Sequence, residues 1–231
     1  MMVEVCTVWA PRPQHAQWRD DYERLLLLQR ATARKFGHRH VIVTDDSRMM
    51  DDRDAVVCTL PDEVMPAMIA GVLRRLAVAV TTPIVFVDVD VLIGRDLSEA
   101  FDGSFDLGLT RRVNDKAPVN NGAMYVAAPL HPAVAAFFTG ALARCGTHWG
   151  ADQEAISAQA APVPDLSDVI EERDGMRIRF LSMKSHNAIP KMEDRRHVSN
   201  PFCIHFKGQT KAWAKTYADH YILHGVGDGL G

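Results

Sequence analysis

Short apolar runs alternate with helix-patterned segments through the first half of this 231-residue chain, and this alternation limits the fold most. Val3–Trp9, His40–Thr44, Ala55–Thr59 and Pro83–Asp88 read as strands. Gln14–Phe36, closed by Gly37 as its C-cap, and Pro66–Val80 carry helical periodicity. Strands that are apolar on both faces and separated by helices predict a parallel sheet covered on both sides. The second half is less regular. Strands are expected at Phe105–Thr110, Gly122–Ala127, Arg177–Leu181 and Pro201–Phe206, and helices at Pro132–Cys145, Ala151–Gln159 and Ala212–Leu223. Nothing in the chain reads as an interdomain linker, so residues 1–223 are expected to form one domain, followed by a flexible Gly-rich tail at 224–231.

One strand breaks its own pattern. In "IVFVDVDVLI" two acids, Asp88 and Asp90, interrupt an apolar run. Two neighbouring carboxylates removed from water cost several kcal/mol unless their charge is compensated. Residues i and i+2 of an extended chain point the same way, so both can converge on one point. In open α/β sheets that point lies at the carboxyl ends of the strands, where ligands bind. A hard divalent cation, Mn²⁺ or Mg²⁺, would supply the missing charge. An isolated Asp-x-Asp is equally compatible with a helix cap or a pairing with Arg95.

A second stretch changes that balance. "CIHFKGQTKAW" ends an apolar run on His205, a possible third ligand through neutral imidazole. Gly208 then permits close backbone approach to a phosphate, and Lys211 offers a point charge for it.

Together, "FVDVDVLI", "NNGAMYV", "ADQEAI" and "HFKGQTKAW" resemble the GT-A fold glycosyltransferases, and within them the glycogenin-like, family-eight retaining enzymes. The resemblance spans Ile84 to Trp213, and the first strand fits the family's nucleotide-base loop; Ala212 stands where the family usually has Pro. It implies a mixed, mostly parallel sheet flanked by helices. It also implies a metal-dependent transfer of a hexose from a UDP-sugar to an acceptor, with retention. By the same resemblance Asp88 bridges metal and ribose, and Asp90 and His205 are direct ligands. Gly208 and Lys211 hold the diphosphate. Thr7 and Val8 line the base site, with Asp45 reading the base edge. Arg74 or Arg75 contacts the sugar or phosphate, and Asn120, Asn121 and Gly122 lie near sugar and acceptor. Asp152 and Gln153 flank the anomeric carbon.

An inverting enzyme would instead need a carboxylate base, for which Asp152 or Glu154 is available. A sugar nucleotidyltransferase would require a Gly-rich phosphate loop after the first strand, and "TVWAPRPQHAQW" has no glycine. A non-catalytic sugar-nucleotide-binding module fits the intact Asp88, Asp90 and His205 less well. Trp149 is placed either to stack on a sugar or to pack at a helix entry. Asn114, Asp115 and Lys116 form a polar loop that either meets the acceptor or is a solvated turn.

Composition adds exclusions. The net charge of −3 gives no global sign of nucleic-acid binding. The four cysteines are widely spaced, which suggests free thiols in a reducing cytosol rather than a zinc site. There is no apolar run long enough for a transmembrane helix, and the N-terminus reads as a strand rather than a signal peptide. The acceptor is expected to be a glycan, lipid-linked sugar, protein, small molecule or modified DNA base, with no residue pattern favouring one of them.

Overall fold

The structure, a computed structural model, describes residues 1–13, 19–112, 117–190 and 200–224. The polar loop Asn114–Lys116 and the Gly-rich tail beyond 224 lie outside the described residues, as do residues 14–18 of the expected first helix.

A sheet of eight strands forms the centre. In chain order they are β1 (Glu4–Trp9), β2 (Arg39–Thr44), β3 (Ala55–Val57), β4 (Ile84–Val87), β6 (Leu107–Arg111), β7 (Val119–Val126), β8 (Val169–Arg173) and β9 (Met176–Ser182). The spatial order is β3-β2-β1-β4-β7-β6-β9-β8. β3, β2, β1 and β4 are parallel, β7 runs antiparallel to both of its neighbours, and β6 and β9 are again parallel. The sheet is therefore mixed and mostly parallel. β8 lacks a strand signal in sequence: it is an antiparallel edge strand whose residues are half-buried or exposed, so no apolar run marks it.

Helix α1 (Arg19–Lys35) covers one face and ends at Gly37, which adopts the left-handed conformation (φ 76°). Helices α2 (Val64–Leu76), α3 (Pro132–Arg144) and α4 (Ala151–Gln159) pack together on the other. The alternation of β1 sets this up. Val3 and Val5 join the core on the α1 side, while Cys6 and Val8 join the core against α2.

A second, two-stranded sheet was not expected. The apolar run that carries Asp88 and Asp90 does not continue as one strand. It turns at the acids, where Val91 N–H donates to the Asp88 carbonyl (3.1 Å), and resumes as β5 (Val91–Ile93). β5 pairs antiparallel with β10 (Cys203–His205) as a sheet separate from the main one. After β10 the expected helix Ala212–Leu223 is three pieces: a 3-10 segment at Gly208–Trp213, a one-turn α-helix, α6, at Ala214–Tyr217, and a π-helical turn at Ala218–Leu223. The earlier short helix α5 is Met183–His186. A cluster of rings, Phe206, Trp213, Tyr217 and Tyr221, fixes this end against α1. All four cysteines are free.

Glu4 is the costliest residue of the first strand. It is 3% exposed, and the Arg75 guanidinium from α2 answers it with two hydrogen bonds. Removing one member of a buried pair strands the other charge and costs about 3–5 kcal/mol. Arg75→Met is thus expected to lower the melting temperature by roughly 10 °C. A double Glu4→Met, Arg75→Met variant should recover most of the loss. A single variant that melts like the wild type would show that the pair contributes nothing.

Candidate active site

The acids are held where β4 ends. Asp88 follows Val87, and its N–H donates to the Gly122 carbonyl of β7 (3.1 Å). His205 reaches them through register: β10 lies on β5 so that His205 stands opposite Val91, the residue after Asp90. His205 Nε2 is 3.1 Å from Asp90 Oδ1 and 3.6 Å from Asp88 Oδ2. One ligand atom from each of the three side chains falls within a 4.8 Å span. Two carboxylate oxygens and an imidazole nitrogen suit Mn²⁺ or Mg²⁺, which favour oxygen donors and accept a nitrogen.

The imidazole is oriented from behind. Its Nδ1 donates to Asn187 Oδ1 (3.2 Å), which leaves Nε2 facing the two acids with its lone pair available to an ion. Asn187 in turn donates to Asn120 Oδ1 (3.1 Å), which also accepts Gly122 N–H (3.0 Å). Gly122 has a steric reason to be glycine: an added Cβ would lie 2.3 Å from His205 Cε1 and Nδ1. Asn120 is fully enclosed, so its position is a support for His205 rather than a wall of the cleft.

Charge in the site is unbalanced. Burial pushes the Asp88 carboxyl up to about 6, reinforced by Asp90 and Asp152 and opposed by His205. Its side chain keeps 32% exposure, so it faces the open cleft. Burial also works against Asp90, but hydrogen bonds and charges from His205 and Lys211 outweigh it and hold Asp90 down to about 2. Lys211 Nζ sits 2.9 Å from Asp90 Oδ2 and donates to the Tyr22 hydroxyl (3.0 Å). Burial opposes the Lys211 charge too, yet Asp90 and Tyr22 hold its ammonium above the ordinary range. Gly208 has φ 56°, which only glycine adopts freely, and the space beside it is open.

Asp152 and Gln153 occupy the first turn of α4. Asn121 Nδ2 donates to Asp152 Oδ2 (2.6 Å), and burial raises the Asp152 carboxyl. Glu154 is exposed and pairs with His148 (3.0 Å). Trp149 is 80% exposed at the entry to α4 and so has no packing role there.

The remaining expected residues separate. Val8 lines the pocket below Asp88. Thr7 points to the opposite face, where its hydroxyl donates to Gln29 Oε1 (2.5 Å). Asp45 is 2.8 Å from the Arg12 guanidinium. Arg74 is exposed on α2, whereas Arg75 is consumed by Glu4 and does not reach the sugar or phosphate side.

Two residues that the sequence did not single out take part. Lys207 is half-buried beside the acids; burial lowers its ammonium while Asp88 and Asp90 pull it back up. Its place directly before Gly208 was the available signal. Gln29 of α1 had none. Its Nε2 donates to the carbonyls of both Asp88 (2.9 Å) and Val91 (2.7 Å), bracketing the turn that carries the acids. Its Oε1 lies 2.8 Å from His40 Nε2 and accepts from Thr7. Gln29→Leu is expected to weaken Mn²⁺ binding about 10–100-fold, the usual cost of losing an outer support. Manganese titration checks this, and unchanged affinity in a folded variant would contradict it.

No family model matches the sequence, and no curated protein matches it significantly. Solved structures do match. A glycosyltransferase involved in glycosylation of the major capsid of PBCV-1 superposes with a TM-score of 0.57 at 12% identity, over 95% of this chain and 99% of that one. The glycosyltransferase GlyE of Streptococcus pneumoniae TIGR4 gives 0.59 at 12% identity, over 91% of this chain and 55% of its own length. The galactosyltransferase LgtC, solved with donor and acceptor sugar analogs, gives 0.50 at 10% identity, over 94% of each chain. The fold is that of the GT-A glycosyltransferases. Among the described residues no helix is long and apolar enough to cross a membrane.

Proposed function

We propose that this chain is a metal-dependent glycosyltransferase that moves a hexose from a UDP-sugar to an acceptor, with retention, as in the glycogenin-like family-eight enzymes. The observation that carries the proposal is the convergence of Asp88, Asp90 and His205 at the end of β4, with Lys211 and Lys207 beside them. The likeness in fold to glycosyltransferases supports it.

In this account Asp88, Asp90 and His205 hold Mn²⁺ or Mg²⁺, which supplies Lewis-acid stabilisation of the diphosphate leaving group. Lys211 exchanges Asp90 for the diphosphate, and Lys207 adds a second cation to it. The open backbone at Gly208 lets the phosphates approach closely. Val8 and the segment holding Thr7 border the base, with Asp45 and Arg12 at its edge and Arg74 toward the phosphates. Asp152, oriented by Asn121, faces the anomeric carbon with Gln153 and stabilises its developing positive charge. The inverting alternative would use Asp152 as base, since its burial-raised carboxyl accepts a proton more readily than an ordinary one.

UDP release from a panel of UDP-hexoses, in Mn²⁺ and in EDTA, tests the proposal. Release that depends on the metal is the expected result. Release unaffected by EDTA, or none from any nucleotide sugar, would sink it. The anomeric configuration of the product, read by NMR, separates retention from inversion.

A further inference from the structure

Three polar side chains meet in the core beside the turn that carries Asp88 and Asp90. Thr7 of β1, Gln29 of α1 and His40 of β2 are each no more than 1% exposed. Polar groups so fully removed from water must satisfy one another. Gln29 is the one that reaches the turn, where its Nε2 spends both hydrogens on the carbonyls of Asp88 (2.9 Å) and Val91 (2.7 Å). α1 holds the strand that follows as well, since Ile93 N–H donates to Thr32 Oγ1 (3.2 Å).

The two carbonyls dictate how the Gln29 amide lies. They can only accept, so the amide nitrogen faces them and Oε1 faces back toward Thr7 and His40. The Thr7 hydroxyl has one hydrogen and gives it to Oε1 (2.5 Å). His40 Nε2 lies 2.8 Å from the same Oε1 and 3.3 Å from Thr7 Oγ1. A bare Nε2 would there meet the lone pairs of two oxygens, so Nε2 carries the ring hydrogen. Burial, with the Arg30 charge nearby, holds the imidazole down to about 3, so the ring is neutral and Nδ1 is bare. Nδ1 is buried with no hydrogen-bond partner among the described residues. An enclosed acceptor without a donor is a cost that a leucine or phenylalanine filling the same space would not carry. It is the consequence of aiming the ring's single N–H at Gln29.

We infer that His40 is a positioning residue for the proposed metal-binding turn: its Nε2–H holds the Gln29 amide with the nitrogen toward Asp88 and Val91, and through it sets how the two acids are presented. The inference rests on the proposed divalent-cation site and names a residue that holds that site in shape. His40 acts at a distance, because β1 lies between β2 and β4. Without its N–H, Oε1 keeps only the Thr7 hydroxyl, and the amide loses one of the two donors that fix it.

Manganese titration of wild type, His40→Phe, Gln29→Leu and the double variant forms a double-mutant cycle. His40→Phe is expected to weaken Mn²⁺ binding about 3–10-fold, less than the loss of Gln29, which stands nearer to the acids. In the Gln29→Leu background the same substitution should change affinity by less than about twofold. His40→Gln, which keeps an N–H donor at the end of the side chain, should stay within about twofold of wild type. A histidine that only fills space gives equal losses in both backgrounds. That result, wild-type affinity in folded His40→Phe, or His40→Gln as weak as His40→Phe overturns the inference. If His40→Phe does not fold, nitrogen-15 NMR of the wild-type ring decides: hydrogen on Nε2 supports the inference, and hydrogen on Nδ1 overturns it. These outcomes leave the cation site standing. A wild-type protein that binds no Mn²⁺ overturns the cation site and this inference with it.

Discussion

Asp90→Ala is expected to abolish the Mn²⁺-dependent rise in melting temperature produced by UDP and to lower sugar transfer by about 100–1,000-fold or more. The size follows from the geometry. Asp90 lies 3.1 Å from His205 and 2.9 Å from Lys211, so in the proposed function one carboxylate connects the ion site to the cation that meets the diphosphate. Its truncation would remove a proposed ligand and release Lys211 from its anchor at once. The fold should survive, because Phe206 N–H donates to the Asp90 backbone carbonyl (2.8 Å), which alanine retains. Without metal, the variant is expected to melt within a few degrees of the wild type. A variant that keeps the full UDP and Mn²⁺ shift would mean that Asp90 is not a ligand.

Gly122→Ala is the second large effect. The new methyl would sit 2.3 Å from two ring atoms of His205 and 3.1 Å from Asn120 Oδ1. Neither neighbour can give way cheaply. His205 is 2% exposed and hydrogen-bonded to Asn187, and Asn120 is tied to Asn187 as well. The ring must swing away from Asp88 and Asp90, or β7 must shift. Manganese affinity is expected to fall by about 10–100-fold and stability by about 1–3 kcal/mol. A manganese titration alongside a urea melt separates the two. Wild-type metal affinity in Gly122→Ala would show that His205 is not seated where the ion binds.

Much of this site was legible before the fold was. Asp88 and Asp90 betray themselves because a buried strand has no use for two acids, and the spacing of His205, Gly208 and Lys211 repeats a known pattern. What sequence cannot express is pairing between distant segments. β5 and β10 lie over a hundred residues apart, and only their antiparallel register brings His205 to Asp90. Gln29 is hidden for the same reason: a glutamine within a leucine-rich helix looks like an ordinary polar position until the Asp88 turn is packed against it. Arg75 misleads in the opposite sense. Next to Arg74 it looks available to a phosphate, yet Glu4, an acid inside the first strand, had already claimed it. The polar face of β8 and the broken C-terminal helix were equally unreadable, since tertiary contacts and not local periodicity define them.

Asp88, Asp90 and His205 are proposed to hold a divalent cation that in turn holds a nucleoside diphosphate. Calorimetric titration of UDP into the wild-type protein, with Mn²⁺ and then with EDTA, addresses it most directly. Binding is expected with Mn²⁺, and at least about tenfold weaker binding without it. Equal affinity in the two conditions, or no binding of UDP in either, would contradict it.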